Sequence, residues 1–552
     1  MASIKAAWKH WFSSNTWQSV SIVDRRLFIG IMVFHFILSG WFITRTYPTA
    51  DESDYYGYGV RWAHGEPQRI YPIDDSKTPI VAPALIPIVV KPLVDLSNDP
   101  YGYKMLQLGR WMMYVYQLLA AFVLFLWMYR LWGTRQWLLP LVLYLFNPVV
   151  FSFGMIVGSD LACASLVLST CYCLWRYVQT AEWRYWVWGC VFCALALVAK
   201  ASMIYLPVLL MLLLLLQRFV GEPSAMQKIK AVQWMKSLGL LVLFCWVFVC
   251  AAYYSSRMFF PINELPAQSK AMVALKQNLS AISNWPVPLP YDYVSAFDLL
   301  KYHGDLGGAP HPHNTYAGIS ILGRYYQYGP VWYYYIAAFI IKLPIIILLM
   351  LGIAATIFLR SNKVAILKKY LFIWVPFLFF GILLSIANPF QIGIRHALML
   401  FPFLHLFVGY GARFWKQRRP GFLKVALVVQ LLFLLNYWPN MIAYTNELFW
   451  PKQLVYRYIH DSSIAYAQST PYLQQFLKQN PDYQLAPTTP RAGKFAVLME
   501  HYAASFNRHG YEWLYKNYEP VGHYMHGVLL FEISEASLRQ KGLQQDSANT
   551  PK

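Results

Sequence analysis

The run LFIGIMVFHFILSGWFI (residues 27–43) leads directly into TYPTADESDYYGYG (residues 46–59). The first stretch is apolar over nearly the length of helix that a bilayer's hydrocarbon core requires, about 20 residues. The second sets Asp51, Glu52 and Asp54 among tyrosines at the point where that span would surface. Local physics offers these acids structural work. Thr49-x-x-Glu52 matches a capping box, in which hydroxyl and carboxylate satisfy the free backbone donors of a helix start, and Asp51 and Asp54 are first-turn acids that a helix dipole favours. A chemical reading stands beside it, because a carboxyl partly desolvated at a membrane boundary has a raised pKa and becomes a better proton acceptor.

Outward from this point the pattern repeats. The chain has 552 residues, 58% hydrophobic and 13% charged, with the apolar ones gathered in long runs. This predicts a polytopic α-helical membrane protein with about 11 spans, near 27–44, 106–130, 137–153, 160–178, 184–199, 201–217, 238–256, 331–359, 370–388, 397–414 and 421–441. The stretch 329–359 is too long for one straight span, and Lys342-Leu343-Pro344 divides it. The net charge of +21 needs no nucleic acid partner. Arg25 and Arg26, Arg130 and Arg135, Arg176 and Arg184, Arg218 to Lys236, Arg360 to Lys369 and Arg413 to Lys424 mark alternate connections, which the positive-inside tendency assigns to the cytoplasm.

Residues 1–26 then form a cytoplasmic, interfacial segment and 27–441 the membrane domain. Loops 45–105 and 257–330 face outward, as does a small C-terminal α/β region at 442–540, suggested by the strand-like GKFAVLM and GVLLFEIS. A disordered tail follows at 541–552. The seven cysteines lie within apolar runs, so Cys190-x-x-Cys193 reads as packing rather than as a metal or redox motif. His311 and His313 lack acids at zinc-ligand spacing and read as loop residues.

A second acid, Asp160, stands at the next outward surfacing, where Ser159 is a candidate cap for the following helix. Lys200, Lys342 and Arg395 return to the same outer level. One such lysine can snorkel, but three cations at one level together suit an anionic ligand such as a lipid phosphate. Acids and cations at one interface suggest a division of labour, in which an acid takes the proton of an acceptor hydroxyl and the cations hold a departing phosphate.

These residues carry a resemblance. TADESDYYGYGVRWAHGEP, GSDLACASLVL, WGCVFCALALVAKASMIYLP, YYQYGPVWYYYIAAFIIKLPIIILL and IGIRHALMLFPFL follow in order the motifs of GT-C superfamily membrane glycosyltransferases. The chain is most similar to glycosyltransferase family 39, the protein O-mannosyltransferase and lipid A aminoarabinose transferase group. It departs at Leu343, where the family has Thr, at Lys77-Thr78-Pro79, where many members have His-Pro-Pro, and at Ala465-Tyr466-Ala467-Gln468, where bacterial members have Asp-Trp-Gly-Gln.

The resemblance implies a GT-C-like fold and inverting transfer of a sugar from a polyprenyl-phosphate donor to a hydroxyl of a lipid, glycan or protein acceptor. It implies Asp51 as general base, Glu52 beside it, Asp160 as a second site acid, and Lys200, Lys342 and Arg395 as contacts to the donor phosphate. No cofactor is required, and a divalent metal is compatible with the scheme. The expected location is a bacterial cytoplasmic membrane with the site on the outer, periplasmic face. The runner-up reading is a lipid-linked glycan transporter or flippase, which calls for polar residues through the span interiors.

Overall fold

The computed structural model describes residue 17 and residues 19–70, 77–90, 103–223, 231–306, 319–326, 329–389, 391–416, 420–503 and 510–543. Most of the expected interfacial segment, His311, His313 and most of the tail lie outside these residues. Helix α1 (Ile22–Arg45) is the first span. The Oγ of Ser21 caps it, accepting from the Asp24 N–H at 3.1 Å. Two short helices, α2 (Glu52–Ala63) and α3 (Val81–Val90), follow before the second span, α4 (Tyr103–Trp132).

The expected span 137–153 is instead two pieces, α5 (Leu138–Leu145) and α6 (Pro148–Gly154). Pro148 has no N–H to continue the first helix, and the Asn147 side chain starts the second by accepting from the Val149 N–H at 3.0 Å. After α7 (Ser159–Thr180) and α8 (Trp183–Ala199), a 3-10 turn at Ala201–Tyr205 runs into α9 (Leu206–Phe219), and α10 (Ala231–Ala252) completes this group. The apolar window of α7 is wholly buried, because α4 and α8 pack against it and α10 covers α8.

The second large loop carries α11 (Lys270–Asn278), α12 (Tyr291–Leu306) and a hairpin of β1 (Ile319–Ile321) and β2 (Arg324–Tyr326). Helices α13 (Tyr334–Lys342) and α14 (Ile345–Leu359) meet at 119° across the expected break at Leu343-Pro344. A second bend, of 85°, separates α15 (Lys363–Lys369) from the apolar stretch Leu371–Ala387, which opens as α16 (Leu371–Ile382). A 3-10 turn at Ile394–Leu400 lies against α7 and leads into α17 (Phe401–Lys416), followed by α18 (Pro420–Asn436).

Among the described residues five helices have the length and apolarity to cross a membrane, or seven with each bent pair counted as one span. The remaining four of the eleven expected segments are broken or short: α5 with α6, α8, the turn with α17, and α18.

The C-terminal region comprises α19 (Thr470–Gln479), β3 (Tyr483–Leu485), β4 (Gly493–Leu498), α20 (Met499–Ala503), α21 (Glu512–Asn517), β5 (Gly522–Tyr524), β6 (Val528–Ile533) and α22 (Glu535–Gln540). Its four strands are ordered β3-β4-β6-β5, with only β3 and β4 parallel. Tyr472, Leu473 and Phe476 of α19 bury one face of the sheet through Ala496, Leu498 and Val528.

Between α18 and this sheet, residues 461–468 form a strap across the membrane part. The Ser462 N–H donates to the Ile392 carbonyl at 3.2 Å, and the Ile394 N–H to Ser463 Oγ at 2.8 Å. Gly393 makes the crossing at φ 153°, where a Cβ would lie 2.2 Å from Ser462 Oγ. Gly393→Ala is expected to cost about 1–3 kcal/mol through overpacking, read as a lower thermal unfolding midpoint of the purified protein.

Candidate functional site

Asp51 precedes α2 as its N-cap residue, yet its side chain makes no capping bond to that helix. The carboxylate is engaged elsewhere. Its Oδ1 lies 3.2 Å from Lys77 Nζ, and its Oδ2 lies 3.0 Å from Arg395 Nη1 and accepts a hydrogen bond from the Tyr466 hydroxyl. Arg395 also reaches Asp160 Oδ2 at 3.6 Å, and Asp160 Oδ1 pairs with Lys200 at 2.6 Å. Asp51, Asp160, Lys200 and Arg395, chosen from four distant parts of the sequence, therefore form one cluster, completed by Lys77 and Tyr466.

Its geometry is set locally. Asp160 lies in the first turn of α7. Ser159 is the first residue of that helix rather than its cap, and its hydroxyl instead meets that of Tyr55 at 3.0 Å. Lys200 ends α8, and the Thr78 hydroxyl donates to the carbonyl of neighbouring Ala199 at 2.6 Å, holding Lys77 beside it. The Tyr466 ring lies under the Arg395 guanidinium, 4.4 Å from it, and the Tyr466 carbonyl accepts from the Ala50 N–H at 3.1 Å.

Three cations face two carboxylates, and the Arg395 Nε–H has no acceptor among the described residues. The cluster thus carries a surplus positive charge and a spare donor, an arrangement that suits an anion. Burial alone would raise the Asp51 carboxyl; Arg395, Lys77 and the Tyr466 hydroxyl outweigh it and hold the group well below the usual carboxylate range. Burial keeps the Tyr466 phenol well above its ordinary value, so it remains a donor.

Glu52 stands outside this cluster, fully buried against Arg110 at 2.7 Å. It accepts from the N–H groups of Thr49 and Val157, each at 2.8 Å. Half of the expected capping box is present: the carboxylate reaches back to Thr49, but the Thr49 hydroxyl donates to that carboxylate instead of capping the helix. The reading of Glu52 as a catalytic neighbour is corrected to an anchoring role, since its oxygens are consumed by buried donors.

Lys342 is corrected in the same way. It was expected at the outer interface as a phosphate contact, but its side chain is fully buried and Nζ donates to the backbone carbonyls of Ile442, at 2.9 Å, and Ser463. It pins the break between α13 and α14 to the strap. Lys77 and Tyr466, which the sequence reading does not include among the site residues, lie where the chain departs from the family pattern; the available signal is a hydrogen-bonding side chain at each departure. Among the described residues no group of three or more His, Cys, Asp or Glu side chains is placed to hold a metal.

Two outcomes separate these roles. Glu52→Ala leaves Arg110 buried without its partner and is expected to cost about 3–5 kcal/mol, seen as a large fall in thermal midpoint, whereas Asp51→Asn should change stability far less. Tyr466→Phe removes a donor to ionised Asp51 and so raises its pKa. Any activity requiring the carboxylate is lost as pH falls through that pKa, so the acid limb of kcat/KM should begin at higher pH in the variant, with the alkaline side unchanged.

A model of the dolichyl-phosphate-mannose-protein mannosyltransferase family matches residues 102–251, the stretch that holds Asp160 and Lys200. No curated protein sequence matches the chain. A crystal structure of ArnT from Cupriavidus metallidurans bound to undecaprenyl phosphate is similar at 14% identity, covering 82% of this chain and 72% of that one, with a TM-score of 0.46. Over the matched stretch the chain is similar to membrane glycosyltransferases of the mannosyltransferase family.

Proposed function

We propose that the protein is an inverting glycosyltransferase that moves a sugar from a polyprenyl-phosphate donor to an acceptor hydroxyl at the outer face of a bacterial cytoplasmic membrane. The observation that carries this reading is the single cluster in which Arg395 bridges Asp51 and Asp160 while Lys77 and Lys200 flank them. The family match over residues 102–251 supports the same reaction class.

In the proposed reaction Asp51 takes the proton of the acceptor hydroxyl as its oxygen forms a bond to the anomeric carbon. The bond from that carbon to the phosphate oxygen breaks, and its electron pair stays on the phosphate. Arg395, Lys77 and Lys200 offset the charge that accumulates there, so no protonation of the leaving group is needed. One displacement inverts the anomeric centre.

The test is transfer by purified protein from a panel of polyprenyl-phosphate sugars to a mixture of lipid, glycan and peptide acceptors. Asp51→Asn should reduce turnover by roughly 10²–10⁴-fold. Lys77→Ala should reduce it about 10²-fold. Near-normal turnover in Asp51→Asn would remove that residue as the base. Movement of the lipid-linked sugar across a reconstituted bilayer, with no transfer from any donor, would replace the enzyme by the transporter reading.

A further inference from the structure

Away from Asp51, the second half of α14, the short α15, the start of α16 and the middle of α17 enclose a cavity of about 300 Å³. Helix α14 begins at the break that Lys342 pins to the strap, and its 15 residues carry it roughly 22 Å from there at 1.5 Å per residue. The cavity therefore lies at the opposite end of the membrane part from the charged cluster.

Its walls follow from close packing and one bend. Gly411 brings α17 against α14, since a Cβ there would lie 2.6 Å from the Met350 carbonyl oxygen. Beside this contact the chain turns by 85° between α15 and α16, and α15 contributes Ile366 and Leu367 as a wall. The corner is held by the Trp374 indole N–H, which donates to the Leu367 carbonyl at 2.8 Å, and by the Tyr370 ring, which meets that of Tyr410 at 5.5 Å. On α14, Leu351, Ala354, Ala355 and Phe358 repeat at helical spacing toward the same space. Every lining side chain is aliphatic or aromatic, and the Trp374 N–H is already spent, so the interior suits a hydrocarbon chain.

The same turn of chain is cationic. Arg360 follows Phe358 by two residues, Lys363 begins α15, and Lys368 and Lys369 end it. Lys369 Nζ lies 5.8 Å from the centre of the Tyr370 ring, which lines the cavity. No Asp or Glu occurs between Asp305 and Glu447, so α13 to α18 carry no acid. Helices α7 and α9 pack against α16. Helix α9 has no acid, and the one acid of α7, Asp160, is paired with Lys200 at the other end. Glu182, just beyond α7, is paired with Arg184 at 2.5 Å. Among the described residues none of Arg360, Lys363, Lys368 and Lys369 forms an ion pair with a carboxylate. Topology alone favours cations at such an end, but it does not require them on the one short helix that also walls an apolar cavity.

An apolar cavity beside four uncompensated cations fits an amphiphile with a hydrocarbon tail and an anionic head. We propose that this is a binding site for an anionic phospholipid, with part of one acyl chain in the cavity and the headgroup phosphate among Arg360, Lys363, Lys368 and Lys369. A polyprenyl phosphate has the same two ends, but bound here its phosphate would stand a span's length from Asp51 and could not serve as donor. The orientation proposed for the transferase puts this end in the cytoplasmic leaflet; the lipid site itself does not rest on that reaction.

The test is native mass spectrometry of the full chain purified in detergent and titrated with phosphatidylglycerol, with phosphatidylcholine of the same acyl chains, and with undecaprenyl phosphate. The wild type should bind phosphatidylglycerol at least tenfold more tightly than phosphatidylcholine. Lys363 and Lys369 are exposed, so the double variant Lys363→Gln/Lys369→Gln should fold normally and lose that preference while its affinity for phosphatidylcholine stays the same. Ala355→Phe, which fills the cavity from an exposed position and leaves every charge in place, should weaken phosphatidylglycerol binding at least tenfold. Equal affinity for the two phospholipids, an undiminished preference in the lysine variant, or unaltered binding in Ala355→Phe overturns the site. Displacement of phosphatidylglycerol by a lower concentration of undecaprenyl phosphate overturns the phospholipid assignment. Tight, lysine-dependent binding of phosphatidylglycerol by a wild-type protein that transfers no sugar would keep the lipid site while the transferase reading fell.

Discussion

The buried pair of Glu52 and Arg110 is the constraint on which the site depends. Arg110, on α4, donates to the carbonyls of Thr46 and Tyr47 at 3.0 and 2.9 Å, to the Thr46 hydroxyl at 2.9 Å, and to both oxygens of Glu52. Glu52 in turn holds the N–H of Val157, three residues before Asp160. One ion pair thus fixes the exit of α1, the start of α2 and the approach to α7. An ion pair wholly removed from water is stable only when its remaining hydrogen-bonding capacity is met, and here each group meets several partners. Asp51, adjacent in sequence, inherits a fixed position without spending its own oxygens on the helix it begins.

The strap at 461–468 closes the cluster from the other side. Through Ser462 and Ser463 it sets the backbone on either side of Gly393, and hence the approach to Arg395. Through Lys342 and the Ser463 carbonyl it fixes the broken α13–α14 span, and through Tyr466 it reaches Asp51. The buried amide of Asn446 adds to this, donating to the Leu343 carbonyl at 3.0 Å, which the break at Pro344 leaves without a helical partner. The C-terminal region is therefore part of the site's scaffold, attached along a line of backbone and side-chain hydrogen bonds.

Much of this was legible in the sequence where the signal is periodic or local. Long apolar runs identified the spans, the Lys342-Leu343-Pro344 break located a bend, and the acids and cations at the surfacings expected to face outward named four of the six clustered residues. The misassigned residues share one cause. Glu52 and Lys342 are charged groups at the expected level, and no local pattern distinguishes a charge aimed into a site from one consumed by Arg110 or by two carbonyls. Lys77 and Tyr466 lie 26 and 415 positions from Asp51 in a chain that brings them together only by tertiary packing. The split of one apolar run at Pro148 was not legible in the same way, because composition reports apolarity and not helix continuity.

The pairing of Asp51 has a consequence for the proposed chemistry. A carboxylate held by two cations and a phenol is a weak base, since each partner favours its charged form. The groups that weaken it are also those suited to the donor's phosphate. A phosphate drawing Arg395 and Lys77 toward itself would return basicity to Asp51 as it arrives, and only then would the acceptor proton have a competent destination. Tyr466 would remain to orient the freed carboxylate. In the proposed reaction, a base quenched by its own cations and released by the donor's phosphate would link proton removal to the presence of a sugar to receive the resulting oxygen, with the charges already in place.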